Sequence, residues 1–181
     1  MDLGDKSLTN KVYNVTKTVT EDPCTPGRPT FGNISPIPNP ASNGGYVFNN
    51  TSDTDTDFTL SGTSIGYYFR FRKAASITFD NFSATYNAYN SGLWGFFDCD
   101  DNLTLHLTGT NSITCKNKDQ CIYVFGNMTL TGTSGAKLTV TCRSNSTKGI
   151  QAEGTKTLTD VSVSERTNNA DGTYSWTYTV N

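Results

Sequence analysis

The chain repeats itself, and that constrains its fold more than any other property. The segment Asn102-Leu-Thr-Leu-His-Leu-Thr-Gly-Thr-Asn-Ser-Ile-Thr-Cys115 is echoed by Asn127-Met-Thr-Leu-Thr-Gly-Thr133 and then by Lys137-Leu-Thr-Val-Thr-Cys142. A polar loop and a short strand follow, Cys121-Ile-Tyr-Val-Phe-Gly126 and then Gly149-Ile-Gln-Ala-Glu-Gly154. A fainter copy runs from Ser76 to Ala84 and on to Gly92-Leu-Trp-Gly-Phe-Phe97, and the faintest ends in Gly66-Tyr-Tyr-Phe-Arg-Phe71. Anchoring on Ile77, Leu103, Met128 and Leu158 gives steps of 26, 25 and 30 residues.

Short strands and turns at such a step suit a solenoid, in which each coil pairs in parallel with the next about 4.8 Å away. A leucine-rich repeat has a similar period but needs Leu-x-x-Leu-x-Leu and a helical segment, and neither is present. A β-sandwich would give short alternating strands without making successive segments alike. Thr, Ser and Asn together supply 64 of 181 residues and only 17% are charged. That is too polar for a helical bundle, but Thr suits pleated strands and Asn and Ser suit turns.

Alternation assigns the faces. Leu103, Leu105 and Leu107 point inward, with Ile77, Phe79, Ile113, Cys115, Ile122, Val124, Met128, Leu130, Leu138, Val140, Cys142, Ile150, Ala152 and Leu158. Cys115 then falls over Cys142, read first as two stacked thiols in the core and not as a disulfide. The five cysteines, Cys24 included, contain no CxxC pair and spell neither a zinc site nor a disulfide framework.

Residues 1–45 do not repeat and hold all six prolines, which cannot serve in central strands. They are expected to form an irregular N-terminal cap, with a first strand somewhere in Leu8 to Val19. Residues 46–181 form the solenoid domain. At its far end Asn169-Ala-Asp-Gly172 is a turn signal between Val161-Ser-Val-Ser164 and Tyr174-Ser-Trp-Thr-Tyr-Thr-Val180, which predicts a closing β-hairpin. The fold class is thus all-β, a single-stranded solenoid with a cap at each end.

The run NLTLHLTGTNSITC, CIYVFGNMTLTGTSGAKLTVTC and KGIQAEGTKTLTDVSVS resembles the right-handed parallel β-helix proteins of the pectate-lyase-like superfamily, and specifically the carbohydrate-binding, adhesin-like repeats of bacterial surface proteins. The resemblance covers about residues 60–165 and describes turns and core, not a site. It implies a right-handed helix, a secreted or envelope location, and a polysaccharide or cell-surface glycan as partner, with calcium in some members and none in others.

Three groups of residues could carry chemistry. Asp98, Asp100 and Asp101, with His106 five residues on, superficially resemble the acids and histidine of β-helix glycoside hydrolases. The Gly-His-Gly turn and Arg-x-Lys strand of those enzymes are absent, and His106 reads first as an exposed ladder histidine. Asp53, Asp55 and Asp57 alternate and would offer three carboxylates to calcium, or simply form a solvated acidic loop. Aligning the coils at Gly66, Gly92, Cys121 and Gly149 puts Tyr68, Trp94, Tyr123 and Gln151 at one outward position and Arg70, Phe96, Phe125 and Glu153 at the next, with Tyr86 and Tyr89 as an extension. Such a row is a platform for pyranose rings, or equally a surface covered by the Pro-rich segment or by a second copy.

A net charge of −2 gives no electrostatic pull toward nucleic acid, and no run of 18 apolar residues is present to span a membrane. Met1-Asp2-Leu3-Gly4 does not open an export signal, so the chain is expected either to be cytosolic or to begin after a removed leader, and the polar, Thr- and Asn-rich composition favours the second. The leading expectation is a non-catalytic surface protein that binds carbohydrate or another surface ligand without a cofactor. The alternatives are a calcium-assisted polysaccharide lyase or glycoside hydrolase, and a structural or assembly module.

Overall fold

In a computed structural model the chain is an all-β solenoid of about four turns, described for residues 11–16, 45–48, 56–86 and 94–181. Parallel stacking builds one large sheet from β1 (Lys11–Thr16), β3 (Asp57–Ile65) and β5 (Ala75–Thr85). The next coil splits this long rung in two: β7 (Leu103–Thr108) pairs with the first half of β5, and β8 (Thr110–Cys115) pairs with the second. β10 (Met128–Gly132) and β11 (Lys137–Cys142) repeat the split, and β13 (Lys156–Leu158) adds a last rung beside β10. The second sheet stacks β2 (Gly45–Phe48), β4 (Tyr68–Phe71), β6 (Phe97–Cys99), β9 (Ile122–Val124) and β12 (Ile150–Ala152), all parallel.

The bend that splits the large sheet has a local cause. Asn81 has φ 51° and drops out of the pairing between β3 and β5 as a bulge. In the coil above, Gly109 has φ 64°, and a Cβ there would overlap the Asn81 side chain. Only glycine fits that corner without strain. Asn111, almost fully buried, then ties three coils together. Its Oδ1 accepts the Phe82 N–H at 2.8 Å, and its Nδ2 donates to the carbonyls of Thr108 and Lys137, both at 3.0 Å.

The inward set expected from alternation is buried, with Ala152 and Leu158 half-buried at the C-terminal end. The stacking register differs from the expected anchors. Ala75, Leu103, Met128 and Lys156 lie over one another, in steps of 28, 25 and 28 residues, while Ile77 and Leu158 stack on Leu105 and Leu130. The core also changes character along its length. Phe69, Phe97, Ile122 and Ile150 form one inward file, and Phe48, Phe71, Cys99, Val124 and Ala152 another. Rings stack at the N-terminal end, Phe48 on Phe71 at 4.6 Å and Phe71 on Phe97 at 5.0 Å, and give way to aliphatic side chains. Each such ring contributes roughly 1.5–3 kcal/mol by leaving water.

Asparagine also lines a turn. Asn102 Oδ1 accepts the Asn127 N–H and Asn127 Oδ1 accepts the Thr155 N–H, both at 2.8 Å, so each coil closes backbone donors of the next. Cys115 does stack on Cys142, and Cys99, Cys115, Cys121 and Cys142 are free thiols buried in the interior. Cys24 and the prolines lie outside the described residues.

The C-terminal end closes as expected. β16 (Tyr174–Val180) adds antiparallel to β11, and β14 (Val161–Val163) and β15 (Thr167–Asn168) pair antiparallel with its other edge. Beside this cap, Lys156 occupies the inward position that Met128 and Leu103 fill in earlier coils, and its ammonium donates to the Ile150 carbonyl at 3.0 Å. Among the described residues no helix is long and apolar enough to cross a membrane.

Candidate functional site

The outward surface of the five-stranded sheet carries the site. Its central file, read from the strand pairings, is Val47, Arg70, Asp98, Tyr123 and Gln151. Arg72, Asp100, Phe125 and Glu153 follow these strands and make a second file. This corrects the expected row. The corner that opens each strand holds Gly45, Tyr68, Phe96, Cys121 and Gly149, so glycine is not its marker, and alignment on Gly66 and Gly92 shifts those coils by two and four residues.

The correction moves two aromatics inside. Tyr68 and Phe96 are buried at the corner, where alternation breaks, and both pack on Tyr86, Phe96 stacked at 5.6 Å and Tyr68 edge-on at 6.4 Å. Tyr86 is therefore core and not an extension of the surface, and Tyr89 lies outside the described residues. Trp94 belongs to a bend that folds over the sheet. Its ring stacks on Tyr123 at 5.5 Å with 22° between planes, and it stays 60% exposed, the large exposed hydrophobic of the described residues. Tyr123 is only 3% exposed beneath it, with Phe125 packed edge-on at 4.9 Å.

Polar groups frame these rings. The Tyr123 hydroxyl donates to the Glu153 carboxylate. Burial first, then that carboxylate, push the Tyr123 hydroxyl up to about 12. On the other side the Arg70 Nε and Nη2 donate to Asp100 at 3.1 and 3.2 Å, and Arg72 Nη1 donates to the same carboxylate at 3.1 Å. A two-pronged guanidinium pair of this kind fixes geometry as well as charge.

Asp98 sits between the two groups and is 1% exposed despite its outward position. The bend covers it: Gly95 N–H donates to Oδ1 at 2.6 Å and Trp94 N–H to Oδ2 at 3.2 Å. Gly95 is tightly enclosed, since a Cβ would lie 3.0 Å from both Asp98 Oδ1 and the Cys121 carbonyl and would press the neighbours apart. Gln120 Nε2 holds the Trp94 carbonyl at 2.9 Å. Burial pushes the Asp98 carboxyl up to about 6, against the pull of the two amides and Arg70.

The four residues expected to act as acids and base are dispersed. Asp98 is closed over by backbone amides, Asp100 is held by two arginines, and Asp101 accepts the Asn102 N–H at 2.7 Å. His106 lies in the other sheet, in register with Thr78 and Thr131. Asp53 and Asp55 lie outside the described residues, and Asp57 at the start of β3 accepts the Thr56 hydroxyl at 3.1 Å. Among the described residues no group of three His, Cys, Asp or Glu side chains could hold a metal ion. Gln120 and Gly95 were not among the expected site residues; the one local signal for Gly95 is the Trp94-Gly-Phe-Phe-Asp98 run, a glycine between an aromatic and an acid, and Gln120 has none. No family model, no curated protein and no solved structure matches the chain.

Proposed function

We propose that this chain is a non-catalytic, surface-located or secreted protein of the right-handed, adhesin-like β-helix type, and that the Trp94 face binds carbohydrate. What supports the reading is one observation. An exposed indole lies flat on a second aromatic ring, amid a polar sheet surface, with hydrogen-bonding groups on both flanks. The apolar face of a pyranose stacks on an indole, while Gln151 and Arg70 in the file of Tyr123, and Glu153 and Arg72 in the next, offer polar partners for its hydroxyls. A carbohydrate ligand accounts for the polar frame better than an apolar protein partner does. Asp98 is better read as support for the bend than as a hydrolase acid, because both its oxygens are engaged by backbone donors.

A panel of neutral and acidic polysaccharides tests this. Binding to at least one, lost in Trp94→Ala with the fold intact, is the expected result. No binding across the panel, or binding indifferent to Trp94→Ala, overturns it.

A further inference from the structure

We propose that the outer face of the large sheet binds ice, through two files of Ser and Thr hydroxyls that run across β5, β8, β11 and β16. This is not the sheet that carries Trp94, and the inference does not rest on carbohydrate binding there.

The strand pairings set the array. Ser83, Ser112, Thr139 and Thr177 lie in register in one outward file, and Thr85, Thr114, Thr141 and Ser175 in the next. All eight positions carry a hydroxyl, none carries a charge, and all eight side chains are partly exposed. Composition does not account for this, although Ser and Thr supply 46 of 181 residues. The second sheet is built from the same coils, yet its outward file of Val47, Arg70, Asp98, Tyr123 and Gln151 contains no Ser or Thr. Nor do Arg72, Asp100, Phe125 and Glu153 beside it. Repetition does not account for it either. β16 runs antiparallel and belongs to the cap, not to the coils, but Thr177 and Ser175 continue both files.

The array is also stiff. Threonine is branched at Cβ and holds few rotamers, and the hydroxyls hold one another, Ser83 to Ser112 at 2.9 Å, Thr139 to Thr177 at 3.1 Å and Thr141 to Ser175 at 2.8 Å. A hydroxyl offers one hydrogen and two lone pairs, so each such pair keeps a donor and acceptors for an outside partner.

Energetics decide which partner suits this face. A hydroxyl that exchanges water for another neutral partner gains little, and a mobile ligand would be held weakly. The gains add up only on a partner as rigid and as regular as the array. Rungs about 4.8 Å apart and alternate residues about 6.6 Å apart define its mesh, and the oxygen spacings along the two axes of ice lie near both. Ice requires neither charge nor an aromatic platform, and the array has neither. Lys137 in the adjoining file and the Asn81 bulge mark where it stops.

Ice itself is the probe. When a dilute buffered solution is frozen slowly onto a cold rod, the full chain should enter the ice above the level of serum albumin at the same concentration. Thr139→Lys, at the centre of the array, should lower uptake to the albumin level. Lys137 already places an exposed lysine on this strand, and an unfolding midpoint equal to that of the unaltered chain shows that the variant folds; Thr177→Lys gives the same reading if it does not. Ser146→Lys, the same exchange in the exposed loop after β11, should keep full uptake. Exclusion of the unaltered chain at the albumin level, uptake that Thr139→Lys leaves intact, or uptake that Ser146→Lys abolishes equally overturns the proposal. A dimer in light scattering that Thr139→Lys disperses overturns it too, because the face would then belong to a second copy.

Discussion

Asn111 gives a backbone donor of the preceding coil a side-chain acceptor: its Oδ1 takes the Phe82 N–H at 2.8 Å, at the point where the Asn81 bulge has broken the ladder. The same side chain then donates to two carbonyls, one in its own coil and one in the next. Asn111→Ala therefore orphans a buried donor and two acceptors, and should cost roughly 2–4 kcal/mol. The midpoint of thermal unfolding should drop by roughly 10 °C. Calorimetry of the two chains checks this, and a drop of only a degree or two contradicts it.

Asp98 makes stability depend on pH in an unusual direction for a carboxylate. Its folded value of about 6 lies above the ordinary 3.8, so the folded chain binds this proton more tightly than the unfolded chain does. The resulting stabilisation is complete below the unfolded value and is lost as pH rises through the folded one. Relative to Asp98→Asn, the unaltered chain should gain about 2 kcal/mol between about pH 7.5 and about pH 4.5. Urea unfolding of both chains at the two pH values measures it. A loss of relative stability on acidification contradicts the assignment.

The buried thiols should be slow to react. Burial pushes Cys99 up to about 11 and Cys121 well above its ordinary value, and Cys99, Cys121 and Cys142 are all fully buried. Since the thiolate is the nucleophile and must be reached by the reagent, iodoacetamide should label these three only once the chain unfolds. Mass spectrometry of Cys24→Ser after brief labelling with and without urea reads this, and equal labelling in both contradicts it.

Alternation made the inward files of the middle coils legible, because Leu103 to Leu107 and Lys137 to Cys142 obey it without interruption. The site was harder to see for a physical reason. Backbone pairing fixes the register of a parallel coil, and the corner between two faces accepts Gly45, Tyr68, Phe96, Cys121 or Gly149 alike. No residue type marks that corner, so aligning on glycine displaced Tyr68 and Trp94 from their true rungs. Trp94 reaches Tyr123 through a bend that crosses from one coil to the next, a contact to which strand periodicity is blind. The pairing of Arg70 with Asp100 and not with Asp98 likewise depends on side-chain reach, not on spacing.

A solenoid has no intrinsic length: each rung is a template for another, from its own chain or from a neighbour's. Lys156 interrupts that regress. Where three earlier coils place Ala75, Leu103 and Met128, the final one places an ammonium against the Ile150 carbonyl of the last second-sheet rung. A copy arriving end to end would have to strip that charge of water at the seam. Lys156→Leu should therefore turn a terminus into an adhesive face, and the altered chain should show concentration-dependent growth in light scattering that the unaltered chain lacks. Equal scattering from both chains would mean that the antiparallel cap alone sets where the stack stops.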